Sequence, residues 1–414
     1  MKIRSITAGL RISLPPDIAH LRHTAAFLQA ARETCQEAGI EVETVRLATQ
    51  PITESVPSGS PAQALTLARE LQDRCEQLGI DYCSLGPVLA DHPQASLDLV
   101  EALPQIIQKT TTVFTSVLVA SRQRGINLRA IDAAARVIKR ASRVTQDGFA
   151  NLRFAALANC PPHSPFFPTA YHAGQDDAFS VALESADLAV TAFADAHTLD
   201  EARNGLRKRV EEAAGRVQRL LVPVAANHDF AFMGTDLSLA PFPADDRSIG
   251  NAVERLGISH FGSNGTLFAS ALIADVLRSA QAAKCGFSGL MYPLLEDSAM
   301  ARRATQGMYT LDSLLLYSAV CGTGLDTIPL PGEITTEQLA SILLDVAALA
   351  TVLDKPLTAR LLPIPGKRAG EMTSFSFPYF ADARILDPKG DGAAALLSRG
   401  DFIAFSPLHR PPEA

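Results

Sequence analysis

Asp236-Leu237-Ser238-Leu239-Ala240-Pro241-Phe242-Pro243-Ala244-Asp245-Asp246-Arg247-Ser248-Ile249-Gly250 reads as a strand that runs out into a loop and then a helix. The apolar run from His228 to Leu239 has strand character. Pro241 and Pro243 cannot continue it, because proline has no N–H to give to a ladder. Ile249, Val253 and Leu256 then fall at helical spacing from Ser248 onward. Strand, acidic loop and helix form the repeating unit of parallel α/β folds, which carry their chemistry on such strand-end loops. Asp246 has two readings, a helix N-cap and part of a site. Capping by one aspartate does not account for three acids, Asp236, Asp245 and Asp246, at one strand exit.

The same alternation extends in both directions. Strand patterns rich in Val, Ile, Leu, Phe and Thr occupy 3–12, 41–48, 82–89, 112–120, 152–158, 178–183, 229–239, 286–292, 358–363 and 371–377. Helical patterns lie at 20–38, 61–78, 130–142, 199–221, 266–284 and 335–353. About ten strands exceed an ordinary (β/α)₈ barrel. The expectation is a ten-stranded α/β barrel in one domain spanning 1–414, with no composition break and a short frayed tail over 408–414. The loop 159–168 is stiffened by four prolines, carries Phe166 and Phe167, and is expected to pack over something.

Bulk properties narrow the function. The 414 residues are 47% hydrophobic and 20% charged, with net charge -7. No basic block stands out, so nucleic acid is not an expected partner. No apolar run reaches the length needed to span a bilayer, so no membrane partner is expected either. The six cysteines are scattered without C-x-x-C spacing, and no signal peptide precedes the first strand. These features predict a cytoplasmic chain that works on a small molecule. The apolar helix near 339–353 can face either the core or a second copy in a homo-oligomer.

Several groups are candidates for chemistry. His172 follows the proline-rich loop, close to Asp176 and Asp177, and reads as a proton shuttle or as a surface histidine. Glu296 and Asp297 follow a buried-strand pattern and precede a helix. Carboxylates from separate strand ends can meet at a barrel mouth as acid, base or ligands to a hard cation, and helix-dipole complementation is the plainer reading. On this view Asp245, Asp246 and Asp297 would hold Mg²⁺, Mn²⁺ or Ca²⁺. Gly262-Ser263-Asn264-Gly265-Thr266 opens a long helix and is either an anion cradle or a capped turn. Cys321 is a loop nucleophile or a small buried hydrophobe, and Asp326 is the stronger candidate in the same loop. Arg360, on a buried-strand pattern, implies a carboxylate or an anionic substrate beside it.

A set of motifs carries a family resemblance. They are Gly125-Ile126-Asn127, Ala156-Leu157-Ala158-Asn159, Pro165-Phe166, His172 with Gly174, Asp236–Pro241, Gly262–Thr266, Ser288-Gly289, Glu296–Met300 and Gly324-Leu325-Asp326. In this order they resemble the family catalogued as domain of unknown function 711. The resemblance implies a fold related to the ten-stranded barrels of pyruvate formate-lyase and ribonucleotide reductase. It implies no particular reaction. It brings Asn127 and Asn159 forward as substrate-binding candidates, beside Ser263, Asn264, Thr266 and Arg360. Gln175 stands where the family has an acid, Asn264 where it has histidine, and Ala186 and Asp187 where it has glycines. The C-terminal Ser398-Arg399-Gly400-Asp401 is not a glycyl-radical motif.

The sequence therefore predicts an enzyme that acts on a small polar or anionic metabolite by non-radical acid–base chemistry, assisted by a divalent cation. Its catalytic residues would be His172, Asp236, Glu296, Asp326 and Cys321. The alternative is a non-catalytic small-molecule binder or regulatory protein on an ancestral enzyme barrel.

Overall fold

The computed structural model describes residues 1–406; the tail expected over 408–414 lies outside them. The architecture is mixed α/β, with eleven strands in one sheet and thirteen α-helices among the described residues. The strands are β1 (Lys2–Leu10), β2 (Val42–Thr49), β3 (Tyr82–Leu89), β4 (Val113–Ser121), β5 (Gly125–Asn127), β6 (Phe154–Ala158), β7 (Ala178–Glu184), β8 (Ala231–Ala240), β9 (Gly324–Pro331), β10 (Leu357–Ile364) and β11 (Phe402–Ile403). Nine follow one hydrogen-bonded path, β8-β7-β1-β2-β3-β4-β6-β10-β9, while β5 pairs with β4 and carries β11.

Direction along the path changes twice. β1, β2, β3, β4 and β6 run parallel. β7 is parallel to β8, and β9 to β10. The β1/β7 and β6/β10 pairs are antiparallel. Both ends of the path touch the segment 283–293: Thr235 of β8 bridges Lys284, and Asp326 of β9 bridges Pro293, each in parallel sense.

Side-chain alternation sorts the strands into two faces. On β2, Val45 and Leu47 join an apolar cluster that runs from Ile3 to Leu386 and includes the helices, whereas Thr44 and Arg46 line an interior cavity. Helix boundaries follow local chemistry. The helix Pro61–Leu78 starts behind a Ser60 cap with proline in its first turn and ends at Gly79 in the left-handed conformation. The helix Thr336–Val352 buries Leu339, Ile342, Leu343 and Val346 in the apolar cluster, so that face is core.

Three expectations need correction. Residues 286–292 do not form a strand, and 371–377 make only the bridge Met372↔Arg384. β9 was not expected, because Pro329 and Pro331 interrupt its pattern. They are tolerated because its outer side carries a single bridge rather than a ladder.

The proline-rich loop lies inside the structure. Ser5 and Thr7 hydroxyls donate to the Pro165 carbonyl at 3.1 and 3.0 Å, and Ser84 donates to the Ala170 carbonyl at 2.8 Å. Buried backbone carbonyls need such partners.

Asp236 supplies what the missing strand at 286–292 does not. Its carboxylate accepts from the Phe287 and Ser288 amides at 2.8 and 2.9 Å and from the Ser238 amide and hydroxyl at 3.0 and 2.7 Å. Gly286 sits at φ 60°, and a Cβ there would lie 2.2 Å from Asp236 Oδ2, so no other residue fits. Asp236→Ala should cost about 3 kcal/mol, the order expected when a charged acceptor is removed from buried donors, while Asp236→Asn should cost less. Urea denaturation measures both, and an unchanged midpoint in the alanine variant would mean that these four bonds do not hold the segment.

Candidate active site

The interior cavity has a volume of about 110 Å³. Strands supply its charged wall: Arg4 from β1, Arg46 from β2, Asp326 from β9 and Arg360 from β10, with Glu296 from the turn Leu294–Glu296. Phe166 and Phe167 enter from the interior loop, and Phe377 and Tyr379 from the irregular stretch 374–382.

A β-bulge aims two of these residues at each other. Ala359 pairs with Leu325 and Leu361 with Ile328, so Asp326 and Thr327 together face Arg360 alone. Thr327 takes φ 47°, which makes the extra residue fit. Arg360 Nε then donates to Asp326 at 2.5 Å and Nη2 to Glu296 at 2.8 Å. Glu296 also accepts from Arg4 at 2.6 Å. Arg4 reaches Glu43 and Glu184 at 3.4 Å each, and Glu184 accepts from Arg247 at 2.9 Å. Burial alone would lower the pKa of Arg4 and Arg360, but the surrounding carboxylates outweigh it and raise both.

Arg46 is different. Its Nε donates to Thr44 at 2.8 Å, and its guanidinium lies 5.7 Å from the Tyr82 ring and 5.1 Å from the Phe167 ring. Among the described residues no carboxylate pairs with it within 4.0 Å. Burial, reinforced by the charge of Arg4, pulls its pKa down to about 10. It is therefore a charged, buried group at neutral pH with no acceptor on Nη1 or Nη2 among the described residues. Tyr379 lines the same cavity beside Glu43; burial and that carboxylate push its hydroxyl up to about 12, so it stays protonated.

Of the residues singled out from sequence, Glu296, Asp326 and Arg360 meet here. The others are elsewhere. Asp236 anchors the segment 285–288 as described. Cys321 is buried outside the cavity lining and behaves as a small apolar side chain, its carbonyl accepting from Lys355. Asn127 caps the helix Leu128–Ala141 and donates to the Ala90 and His92 carbonyls. Asn159 accepts from the Arg122 amide and donates to Asp354. Asn264 is exposed, Ser263 lies beside Ser259, and Thr266 accepts from the Gly262 amide, so this turn is separate from the cavity.

The three acids expected to hold a metal do not converge. Asp297 is fully buried and accepts from Ser248 Oγ and the Ile249 amide, both at 2.6 Å, and from the Met300 amide at 2.9 Å, which ties two helix N-termini together. Asp245 accepts from Ser298 and Arg302, and Asp246 is exposed beside Arg247. Among the described residues no group of three or more His, Cys, Asp or Glu is placed to hold a metal ion.

His172 is also away from the cavity. It is 1% exposed, packs edge-on against His163 and lies under Gly9, where a Cβ would come within 2.9 Å of its Nδ1. Neither ring nitrogen has a hydrogen-bond partner among the described residues.

The profile of the family described as Uncharacterised ACR (DUF711) matches residues 1–377. The chain belongs to this family. A UPF0210 protein of Pyrobaculum arsenaticum is 35% identical over 83% of this chain and 78% of its own length. One from Pyrobaculum aerophilum is 34% identical over 96% and 89%. One from Halothermothrix orenii is 26% identical over 99% and 95%. Of the positions read as departures from the family pattern, Gln175 and Asn264 are exposed, and none of Gln175, Asn264, Ala186 and Asp187 lines the cavity. No helix among the described residues is long and apolar enough to cross a membrane.

Two outcomes test this description. Glu296→Ala leaves the Arg4 and Arg360 charges facing each other without their shared acceptor. It should cost about 3–5 kcal/mol, as breaking a buried pair does, in denaturant titrations; a loss below about 1 kcal/mol, the range of exposed pairs, would mean that the site is solvated. The second concerns pH. Burial, then the neighbouring His163, lowers the pKa of His172 to about 4, against roughly 6.5 for an unfolded histidine. Between those values the unfolded chain binds more protons, so stability falls as pH drops, by about 3 kcal/mol in all. His172→Gln should remove that part of the slope between pH 7 and pH 4, and parallel slopes in the two proteins would contradict it.

Proposed function

We propose that this chain is an enzyme that binds a small anionic metabolite in the interior cavity and acts on it by non-radical acid–base chemistry. The observation that carries this reading is Arg46, a buried guanidinium held between two aromatic rings with no carboxylate paired to it among the described residues. A buried charge without a counter-ion is costly unless a ligand supplies one. A carboxylate or phosphate fits the two free Nη groups as a bidentate partner. Glu43 and Tyr379 face the same cavity as acceptor and protonated donor, which suits removal and return of a proton on the bound ligand.

The fold reading is part of the proposal. The nine strands of the path and the bridging segment 283–293 make ten staves, in two parallel groups of five joined by the two antiparallel pairs. We read these staves as closing into one barrel domain with the loop 159–172 inside, and the bridges at both ends of the path support this reading and kinship with the pyruvate formate-lyase and ribonucleotide reductase barrels. The tip of that loop carries Phe166 and Phe167 rather than a thiol, and Gly400 is exposed, outside the cavity lining; both support non-radical chemistry. One observation favours the second reading, a non-catalytic binder: Glu296 and Asp326 are fully occupied by arginines.

Calorimetric titration of the whole protein with small carboxylates and inorganic phosphate tests the proposal. Arg46→Gln should weaken binding at least about tenfold, the loss expected for charge-assisted hydrogen bonds, and Arg46→Lys should restore only part of it. Equal binding by wild type and Arg46→Gln would overturn the reading. Ligand binding with no proton exchange at the ligand's carbon atoms in deuterated water would favour the binder.

A further inference from the structure

The cavity holds a second unsatisfied group. Thr323 immediately precedes β9, is 1% exposed and lines the same space as Arg46. Its hydroxyl has no hydrogen-bond partner among the described residues. Its backbone is firmly held: the carbonyl accepts from the Thr358 amide at 2.7 Å and from the Thr358 hydroxyl at 3.0 Å. Gly324 follows at φ 90°, where a Cβ would meet the Thr358 carbonyl at 2.5 Å. The Thr323 backbone is therefore fixed in place, and no group among the described residues satisfies its hydroxyl. Buried hydroxyls normally find a partner, and one left open in a cavity marks a place for a ligand atom.

The lining of the same cavity also includes the apolar side chains of Ala155, Phe287 and Met291. A cavity of about 150 Å³ takes a ligand the size of benzene, so a space of about 110 Å³ suits a short carbon skeleton. Of the other cavity charges, Arg4 pairs with Glu296 and Glu43, and Arg360 with Asp326. One anionic end, one further oxygen and a short apolar link between them satisfy the open groups.

We propose that the ligand is a short-chain hydroxy or oxo acid, with its carboxylate on Arg46 and its second oxygen on the Thr323 hydroxyl. This rests on the reading of Arg46 as the anion site. A threonine hydroxyl both donates and accepts, so it serves a carbonyl or a hydroxyl equally.

The test compares butanoate with lactate, α-oxobutanoate, β-hydroxybutanoate and acetoacetate by calorimetry on the full chain. Wild type should bind at least one oxygenated acid about fivefold more tightly than butanoate, the scale of one net hydrogen bond. Thr323→Val, close in shape but lacking the hydroxyl, should bring that acid down to the affinity of butanoate, and Thr323→Ser should restore the preference. Circular dichroism and thermal melts confirm that each variant is folded; if the valine variant is not, loss of preference in Thr323→Ala serves in its place. A preference that persists without the hydroxyl overturns the proposal. So does Arg46-dependent binding that treats butanoate and the oxygenated acids alike. If no acid binds wild type at all, the anion reading of Arg46 itself has failed, which is a different result.

Discussion

Six charged side chains joined end to end cross the interior of this protein: Arg247, Glu184, Arg4, Glu296, Arg360 and Asp326. They come from β7, β1, β10 and β9, from the Leu294–Glu296 turn and from the loop after β8. Two of the strands they join, β1 and β7, form an antiparallel pair where the parallel groups meet. Each internal member of the chain has at least two partners of opposite charge, so no single desolvated charge stands alone. Such a network adds little net stability over apolar packing, but it penalises any register that breaks it. The bulge at Asp326 and Thr327 is part of this constraint, because only that two-for-one register lets Asp326 meet Arg360.

Against this background Arg46 stands apart. Its neighbours are rings and a threonine hydroxyl, which hold its plane without cancelling its charge. The same cavity thus combines a wall of paired charges with one cation that has no ion-pair partner among the described residues. That division separates what keeps the shape of the site from what gives it affinity.

Much of the scaffold was legible in the sequence, and its exceptions have causes. β1 to β4 and the helix Pro61–Leu78 carry their own propensities, turns and caps, so local pattern suffices. β9 was hidden because its prolines are tolerated only by a neighbour that fails to form a ladder, a fact about tertiary context. At 286–292 the apolar pattern is real, but Gly286 and Gly289 serve the close approach to Asp236 and Gly322 instead of a strand. In the site, Glu296, Asp326 and Arg360 were visible as charges at strand ends or on buried-strand patterns. Arg46, in Thr44-Val45-Arg46-Leu47-Ala48, gives the same signal as Arg360 and could have been found by it. Arg4, between Ile3 and Ser5-Ile6, could too. Tyr379 could not, since nothing local tells which way an irregular segment folds back. His172 misled for the same reason: residue type and neighbours do not reveal whether a loop histidine faces a cavity or a seal.

The loop inside the sheet path is held by its main chain. Ser5, Thr7 and Ser84 grip the carbonyls of Pro165 and Ala170, and none of these contacts involves the Phe166 or Phe167 side chains. Those rings are contributed to the cavity while the grip on the loop lies in backbone atoms that every residue possesses. The rings also share apolar clusters with strand residues, Phe166 with Ala182 and Ala240 and Phe167 with Ala48 and Phe114, so exchange at these tip positions changes both the shape of the chamber and the packing of its wall. The insert is thus moored by its main chain and couples the chamber to the strands through its two rings.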